Sequence, residues 1–314
     1  MADSAPLVIA GLGETLTERA GITNLSLDGS ILLSAMVAFA VAFSTDSLVL
    51  GFLAGMVVGA VVALVVAIAS IELRQDQVAV GFVLTLLCAD LSSFLGNPFV
   101  RKPGPSVPHL AIPVLDQIPV LGPILFDQNA VVYLSFLAVL LSWLWIFRTR
   151  PGLVLQGIGE RPAAAFARGA NVRLLRYVYA LAGGAMVGFA GAGYSLSVKL
   201  GWSYHLTYGL GWIALAIVIF GGWDPLRVAL GSYLFGALGS LGSFSQGIPE
   251  IAQRLPTQVF QAAPFALMIV VLLLVSSHGL ERLLALLPLP LRRVLSGALR
   301  VAPPAALGTT FEQE

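Results

Sequence analysis

Eight apolar stretches, each long enough to cross a lipid bilayer, leave this sequence few ways to fold. A helix rises 1.5 Å per residue, so about 20 apolar residues cross roughly 30 Å of hydrocarbon. Only 11% of the residues are charged, against roughly 25% in a soluble domain. We therefore predict an all-α fold, a polytopic transmembrane helical bundle of about eight spans with short N-terminal and interfacial helices. The predicted spans are Leu27–Phe43, Leu48–Ile71, Val78–Leu95, Ala130–Phe147, Tyr177–Val198, Leu206–Gly222, Leu226–Phe244 and Val259–Ser276.

Shorter segments flank the predicted transmembrane domain, which covers residues 27–278. The apolar piece Pro6–Leu16 is too short to span as a helix, and we expect a half-span or an interfacial helix within residues 1–26. Residues 279–314 are expected to be a cytoplasmic tail, because leucines and arginines alternate there as in an amphipathic helix on a membrane surface. We expect the chain after Ala302 to be disordered.

Positive charge predicts the orientation of the bundle. Cytoplasmic loops carry an excess of Lys and Arg, and 13 of the 17 such residues fall on one set of loops. This places both termini inside (N-in and C-in), the basic loop 148–176 inside, and the proline-rich loop 96–129 outside. The outer side then holds only Arg101, Lys102, Lys199 and Arg254.

Ionisable residues within apolar segments are costly and point to function by default. Asp28 begins one predicted span, where it could be a helix N-cap or a solute contact. Asp90 lies near the outer end of another, where a structural role and a role in the wet mouth are both open. Tyr208 and Trp212, one helical turn apart, could stack on a planar or sugar ligand or anchor the chain at the interface. The sequence shows neither a metal constellation nor a nucleophile beside a base, so we predict that the chain is not an enzyme.

Small residues recur four apart within two spans. Gly51, Gly55 and Gly59 share one helix face, and Gly184 and Gly188 repeat the pattern. This spacing lets helices approach closely, either within the subunit or at a dimer seam.

The basic inner loop contains a predicted short helix. Glu160 to Pro162 is typical of a helix start, Ala163–Ala167 continues the helix, and Gly169 ends it. A solvated connector would also fit, but the alanines and Phe166 favour a helix that docks into a groove on another protein.

Three blocks of the sequence resemble permeases of ATP-binding-cassette importers, in the branch for simple sugars and nucleosides. The inner loop resembles the coupling loop of that family at Gly152, Leu153, Gly159, Glu160, Pro162, Ala164, Ala165, Gly169 and Val172. The N-terminal segment resembles the family at Gly13, Glu14, Glu18, Arg19, Ala20, Gly21, Asn24, Leu25, Asp28 and Gly29, although Ser26 and Asp28 replace a usual glycine and glutamate. Gly221–Pro225 resembles a family turn. The likeness is closest to the shorter of two unlike permeases that pair in nucleoside importers.

The resemblance implies a transport subunit in a bacterial-type inner membrane. Its partners would be a second permease, a cytoplasmic ATPase, an extracytoplasmic solute-binding protein and membrane lipid, with no nucleic acid. ATP and magnesium would bind the ATPase, because this chain has no phosphate-binding Gly-x-x-x-x-Gly-Lys loop and needs no cofactor of its own. Coupling to the ATPase is assigned to Gly159, Glu160, Arg161, Pro162, Ala164, Phe166 and Gly169.

The translocation path is predicted at the polar break before the first span and along the third. Its candidates are Asn24, Ser26, Asp28, Thr85, Asp90, Tyr208 and Trp212, although local hydrogen bonding explains the polar ones equally well. Three other functions stay open: a permease for branched-chain amino acids or another small solute, an ion-coupled secondary transporter, and a membrane scaffold without transport.

Overall fold

The computed structural model describes residues 1–113, 126–207, 209–246 and 302–309, together with Ala266 and Ile269. Within these residues the chain is a bundle of α-helices with one two-stranded hairpin, which confirms the predicted fold class. The helices are α1 (Ala5–Arg19), α2 (Leu27–Thr45), α3 (Leu48–Ile71), α4 (Gln77–Gly96), α5 (Ala130–Arg148), α6 (Arg150–Glu160), α7 (Pro162–Ala167), α8 (Val172–Gly193), α9 (Leu210–Gly221) and α10 (Pro225–Gln246), and the strands are β1 (His109–Ala111) and β2 (Asp127–Asn129).

Five helices in the described part of the chain are long and apolar enough to cross a membrane. They are α2, α3, α4, α5 and α8, and they coincide with the first five predicted spans. The sixth predicted span is a helix of only 12 residues, α9, and the seventh is α10, of 22 residues. The eighth predicted span, apart from Ala266 and Ile269, lies outside the described residues, as do the amphipathic segment of the tail and Tyr208.

Helix α1 lies in the interior of the bundle. It packs against α5, α8, α9 and α10, and 14 of its 15 residues are buried. It runs antiparallel to α8, since Pro6 faces Gly193 at one end and Gly13 faces Gly183 further along. An interfacial helix, one of the two alternatives for Pro6–Leu16, does not fit this position.

The two glycine series face each other inside the subunit. A Cβ on Gly55 would lie 2.9 Å from the carbonyl oxygen of Gly188, and one on Gly59 would lie 2.2 Å from that of Gly184. Real Cβ atoms do not approach backbone so closely, so α3 and α8 need glycine at both positions. These residues therefore serve packing between α3 and α8 of one chain.

Residues 1–4 and residues 302–309 lie at opposite ends of α1. Ser4 packs against Gly236, a full length of α1 (about 22 Å at 1.5 Å per residue) from Arg19. Residues 302–309 instead lie at the Arg19 end, where Ala306 donates a backbone hydrogen bond to Gly159. One prediction is corrected here: residues 302–309 are held by contacts with the bundle and are not disordered. The N-in and C-in orientation stays a prediction.

Candidate functional site

The three blocks that carry the family resemblance converge at one end of the bundle. They are the end of α1 with the connector that follows it (Glu14–Ser26), the junction of α6 and α7 (Gly159–Pro162), and the turn between α9 and α10 (Gly221–Pro225). We call this meeting point the junction. The gaps between consecutive parts are 133 residues (Ser26 to Gly159) and 59 residues (Pro162 to Gly221), so only the folded bundle brings them together.

Glu18, Arg19 and Trp223 join the first block to the turn. The indole Nε1 of Trp223 donates to Oε2 of Glu18, and Arg19 Nε donates to the Trp223 carbonyl oxygen at 2.7 Å. Glu18 and Trp223 are 2% and 4% exposed, so the pair is out of reach of water. Trp223 holds this position with φ at 55°, a left-handed backbone that follows Gly222 at 64°. The polar contacts fix the turn against α1 despite its strained backbone.

Glu14, one helical turn before Glu18, organises the connector between α1 and α2. Its Oε1 accepts from the backbone N–H of Asn24 at 3.1 Å, and Asn24 Oδ1 accepts from both the N–H and the hydroxyl of Ser26. Glu14 is fully buried, and its Oε2 has no hydrogen-bond partner among the described residues. The connector is thereby folded back along α1 into the bundle.

The end of α6 rests directly on the end of α1. A Cβ on Gly159 would lie 2.1 Å from the carbonyl oxygen of Arg19, so only glycine allows this contact. The carboxylates of Glu160 and Asp224 lie within electrostatic reach of Arg19, whose guanidinium also sits 5.1 Å from the Phe147 ring. The end of α6 and the end of α1 are therefore in direct backbone contact, which would transmit a displacement of α6 to α1.

Helix α7 projects from this contact. The predicted short helix is confirmed, with Gly169 in the left-handed region (φ 88°) just beyond its end. Helix α6, which precedes it, was not predicted. None of the α7 residues is buried, and Phe166 is 40% exposed. A groove of about 500 Å³ runs beside α7 and is lined by Leu153, Val154, Gly157, Glu160, Arg161, Ala164, Ala165, Arg168 and Ala170.

Of the predicted coupling residues, Gly159 is buried at the junction and Pro162 is half-buried, whereas Glu160, Arg161, Ala164, Phe166 and Gly169 are exposed. Of the exposed ones, Glu160, Arg161 and Ala164 line the groove, and Phe166 and Gly169 follow them in the sequence. The arrangement suits a surface that receives a partner and passes its movement to α1 through Gly159.

Four of the predicted path residues lie close together and are satisfied within the chain. Asn24 and Ser26 belong to the Glu14 network, and Thr85 Oγ1 donates to the Leu25 carbonyl oxygen at 2.8 Å. Asp28 does not cap α2, which begins after Ser26 without a side-chain cap. Its Oδ1 instead accepts from the N–H of Gly211 at 2.9 Å, so it caps the start of α9. Hydrogen bonds within the chain are what a purely structural role of these four residues predicts. Their role in the translocation path stays a prediction.

The remaining path candidates lie elsewhere. Asp90 is exposed on α4, and Trp212 is half-buried with its ring 6.4 Å from that of Phe82. The predicted stacking pair of Trp212 with Tyr208 cannot be placed, since Tyr208 lies outside the described residues.

Three buried polar groups of the site did not appear among the sequence-based candidates: Glu14, Glu18 and Arg176. The signal was present for the two glutamates, which stand four apart in the N-terminal segment but entered the sequence analysis only as residues of the family resemblance. Ionisable groups at that spacing share a helix face and require partners when buried. Arg176 gave no such signal, because it falls in a basic loop.

Comparison with known proteins agrees with the resemblance. The model of a family described as "Branched-chain amino acid transport system / permease component" matches residues 1–272. A putative glucose ABC transporter permease of Haloferax volcanii is 35% identical over 77% of this chain and 75% of its own. A nucleoside ABC transporter permease of Lactococcus lactis is 33% identical over 86% and 89%, and a guanosine ABC transporter permease of Bacillus subtilis is 32% identical over 86% and 88%. No solved structure is significantly similar.

Proposed function

The chain belongs to the family of branched-chain amino acid transport system permease components, and on that premise we propose that it is the transmembrane permease subunit of an ATP-binding-cassette importer for nucleosides or simple sugars. The proposed solute follows the relatives, two of which are named for nucleosides and one for glucose, and which match over 75–89% of their own lengths. A branched-chain amino acid, which the family description names, is the alternative that the same experiment tests.

The observation that carries the proposal is the contrast between exposed α7 and the buried contact behind it. A partner ATPase would bind the groove beside α7, with Phe166 as the apolar contact and Glu160, Arg161 and Arg168 as the charged rim. Movement of α7 would pass through Gly159 to the carbonyl of Arg19 and so to α1. Because α1 touches α5, α8, α9 and α10, one displacement would reach most of the bundle.

We place the junction and residues 302–309 on the cytoplasmic side, supported by the excess of Lys and Arg on these loops. A solute-binding protein would deliver its ligand on the opposite, outer side. A second permease would complete the path. Helix α4 offers it a broad apolar face, on which Phe82, Val83 and Phe94 are 50%, 63% and 78% exposed.

ATP hydrolysis by the complex reconstituted in lipid tests the proposal. A panel of nucleosides, sugars and branched-chain amino acids is added with the binding protein, and the native chain is compared with the double variant Glu160→Ala, Phe166→Ala. We expect stimulation by one nucleoside or sugar, lost in the double variant while the complex still assembles. Leu140→Ala, which removes a 53% exposed side chain from α5, is the matched control and keeps the stimulation.

Two results would contradict the proposal. Stimulation by a branched-chain amino acid alone would replace the solute and leave the coupling intact. Uptake that continues without any ATPase would instead identify an ion-coupled carrier, in which buried Glu14 and Glu18 would be the first candidates for ion binding.

A further inference from the structure

Residues 302–309 tie together parts of the junction that are distant in sequence. The N–H of Ala306 donates to the carbonyl oxygen of Gly159 at 2.8 Å, and the N–H of Gly308 donates to that of Gly21 at 3.2 Å. Nη1 of Arg176, near the start of α8, donates to the carbonyl oxygen of Thr309 at 3.0 Å. One short segment thus reaches the end of α6, the α1–α2 connector and α8. We call residues 302–309 the clasp.

The clasp fits closely where it meets the bundle. Pro304 and Ala306 are buried, and the Ala306 carbonyl oxygen lies 3.1 Å from the position that a Cβ on Gly21 would take. Gly21 and Gly308 both adopt left-handed backbone, with φ at 89° and 71°. Glycine at these two positions lets the connector and the clasp approach each other.

The clasp also supplies a hydrogen-bond donor to a carbonyl group at the C-terminal end of α6. The last four carbonyl groups of a helix lack partners within it, and Gly159 is the second-last residue of α6. The Ala306 N–H supplies a partner for that carbonyl from outside the helix. Gly159 is consequently held from two sides, by Arg19 and by the clasp.

Arg176 lowers the net stability of the closed position of the clasp. It is 2% exposed, yet its Nε and Nη2 have no hydrogen-bond partner among the described residues. Burying a guanidinium with unpaired donors is unfavourable and opposes the hydrogen bonds that the clasp makes. Opening the clasp would return these donors to water, so closed and open positions are closer in free energy than the contacts alone suggest.

We propose that the clasp, with Arg176 as its positioning residue, holds the α6 end of the coupling helix on the bundle, so that movement of α7 is transmitted to α1 and not lost in the loop. On the other side of α7, a Cβ on Gly169 would meet no atom within 4 Å, so Gly169 is packed less closely than Gly159. The coupling role rests on the proposed function, whereas the contacts of the clasp do not.

The test measures solute molecules transported per ATP hydrolysed in the reconstituted complex. Removing everything after residue 301 deletes the clasp, and removing everything after Thr309 keeps it. We expect the ratio to fall at least about fivefold in the first variant, the factor that corresponds to one of its three lost hydrogen bonds, and to stay unchanged in the second. Adding a synthetic peptide of residues 302–314 restores the ratio.

Single substitutions keep the test valid if the shorter chain does not assemble. Ala306→Pro removes the N–H that donates to Gly159, while Ala305→Ser changes the exposed neighbour and is the control. Arg176→Gln is expected to lower the ratio in the same direction. The melting temperature of the complex is followed in parallel, because a merely structural clasp would change stability and leave the ratio alone.

The outcomes separate the two proposals. Equal ratios for Ala306→Pro and Ala305→Ser, with solute-stimulated hydrolysis intact, overturn the clasp and leave the importer standing. Absence of solute-stimulated hydrolysis in the native complex overturns the importer itself, and the clasp's coupling role falls with it.

Discussion

Helices α1 and α7 are both short and lie outside the predicted spans, and their environments are the reverse of what their composition suggests. Helix α1 carries Glu14 and Glu18 and lies in the interior of the bundle. Helix α7 consists of proline, alanines and Phe166, and none of its residues is buried. Buried carboxylates require fixed donors, and an exposed apolar helix requires a partner. The difference teaches that α1 is held by its own chain, whereas the exposed α7 is available for the docking that we propose.

The largest expected effect comes from enlarging a glycine of α1. A Cβ on Gly13 would lie 2.5 Å from the Gly183 carbonyl oxygen, so Gly13→Val must separate α1 from α8. We expect a destabilisation of about 3 kcal/mol, the upper end for overpacking, seen as a lower melting temperature and yield of the complex. The control beside α7 is Gly157→Ala, whose nearest contact would be 3.9 Å away and which should be neutral. Equal melting temperatures for both variants would refute the interior position of α1.

The next effect tests the buried carboxylate. Glu18→Ala leaves the indole N–H of Trp223 unpaired in a buried site, and we expect a loss of about 1–3 kcal/mol. Glu18→Gln keeps an acceptor oxygen and should lose less. Glu160→Gln, on the exposed side of the junction, is the matched change at a surface carboxylate and should alter the melting temperature little. A Glu18→Ala complex as stable as Glu160→Gln would contradict the contrast between the two helices.

The sequence predicted α7 better than α1 for a physical reason. The start and end of α7 depend on local signals, Pro162 and Gly169, which act wherever the helix lies. The position of α1 depends on packing against four helices that come much later in the chain, which no local pattern records. The five long spans were predictable because bilayer thickness alone sets their length.

The functional site, like the fold, was predictable from the sequence only in part. The resemblance identified the blocks around Glu18, Gly159 and Trp223, but their contact at the junction appeared only in the fold. The N-cap alternative for Asp28 named the wrong helix, because the N–H group that donates to it is that of Gly211 in α9, 183 residues away. The clasp was expected to be disordered, since its prolines and small residues carry no periodic pattern.

A smaller effect is expected at Asp28, the path candidate that caps the start of α9. Asp28→Ala removes the bond to the Gly211 N–H, and we expect a destabilisation of about 1 kcal/mol, as for a lost helix cap. Asp28→Asn keeps an acceptor oxygen and should restore most of it. Solute uptake distinguishes the path role: a changed KM in Asp28→Asn at normal stability would indicate contact with solute, and an unchanged KM would leave only the cap.

The smallest effect concerns Glu72, an exposed carboxylate that contrasts with the buried pair in α1. Glu72 lies just beyond α3 and pairs with Arg173 near the start of α8, and it also accepts from the hydroxyl of Tyr177. The hydrogen bond from Arg173, helped by that from Tyr177, lowers the pKa of Glu72 below its ordinary value of 4.5. A lowered pKa in the folded state means that the pair stabilises the protein fully above pH 4.5 and loses its effect as the pH falls through the lower value.

We therefore expect a difference in melting temperature between the native chain and Glu72→Gln at neutral pH that vanishes on acidification below the ordinary pKa. The difference is expected to be small, because exposed ion pairs contribute little. A difference that persists in acid would mean that Glu72 acts through its shape and not its charge, and would remove the electrostatic contrast with Glu14 and Glu18.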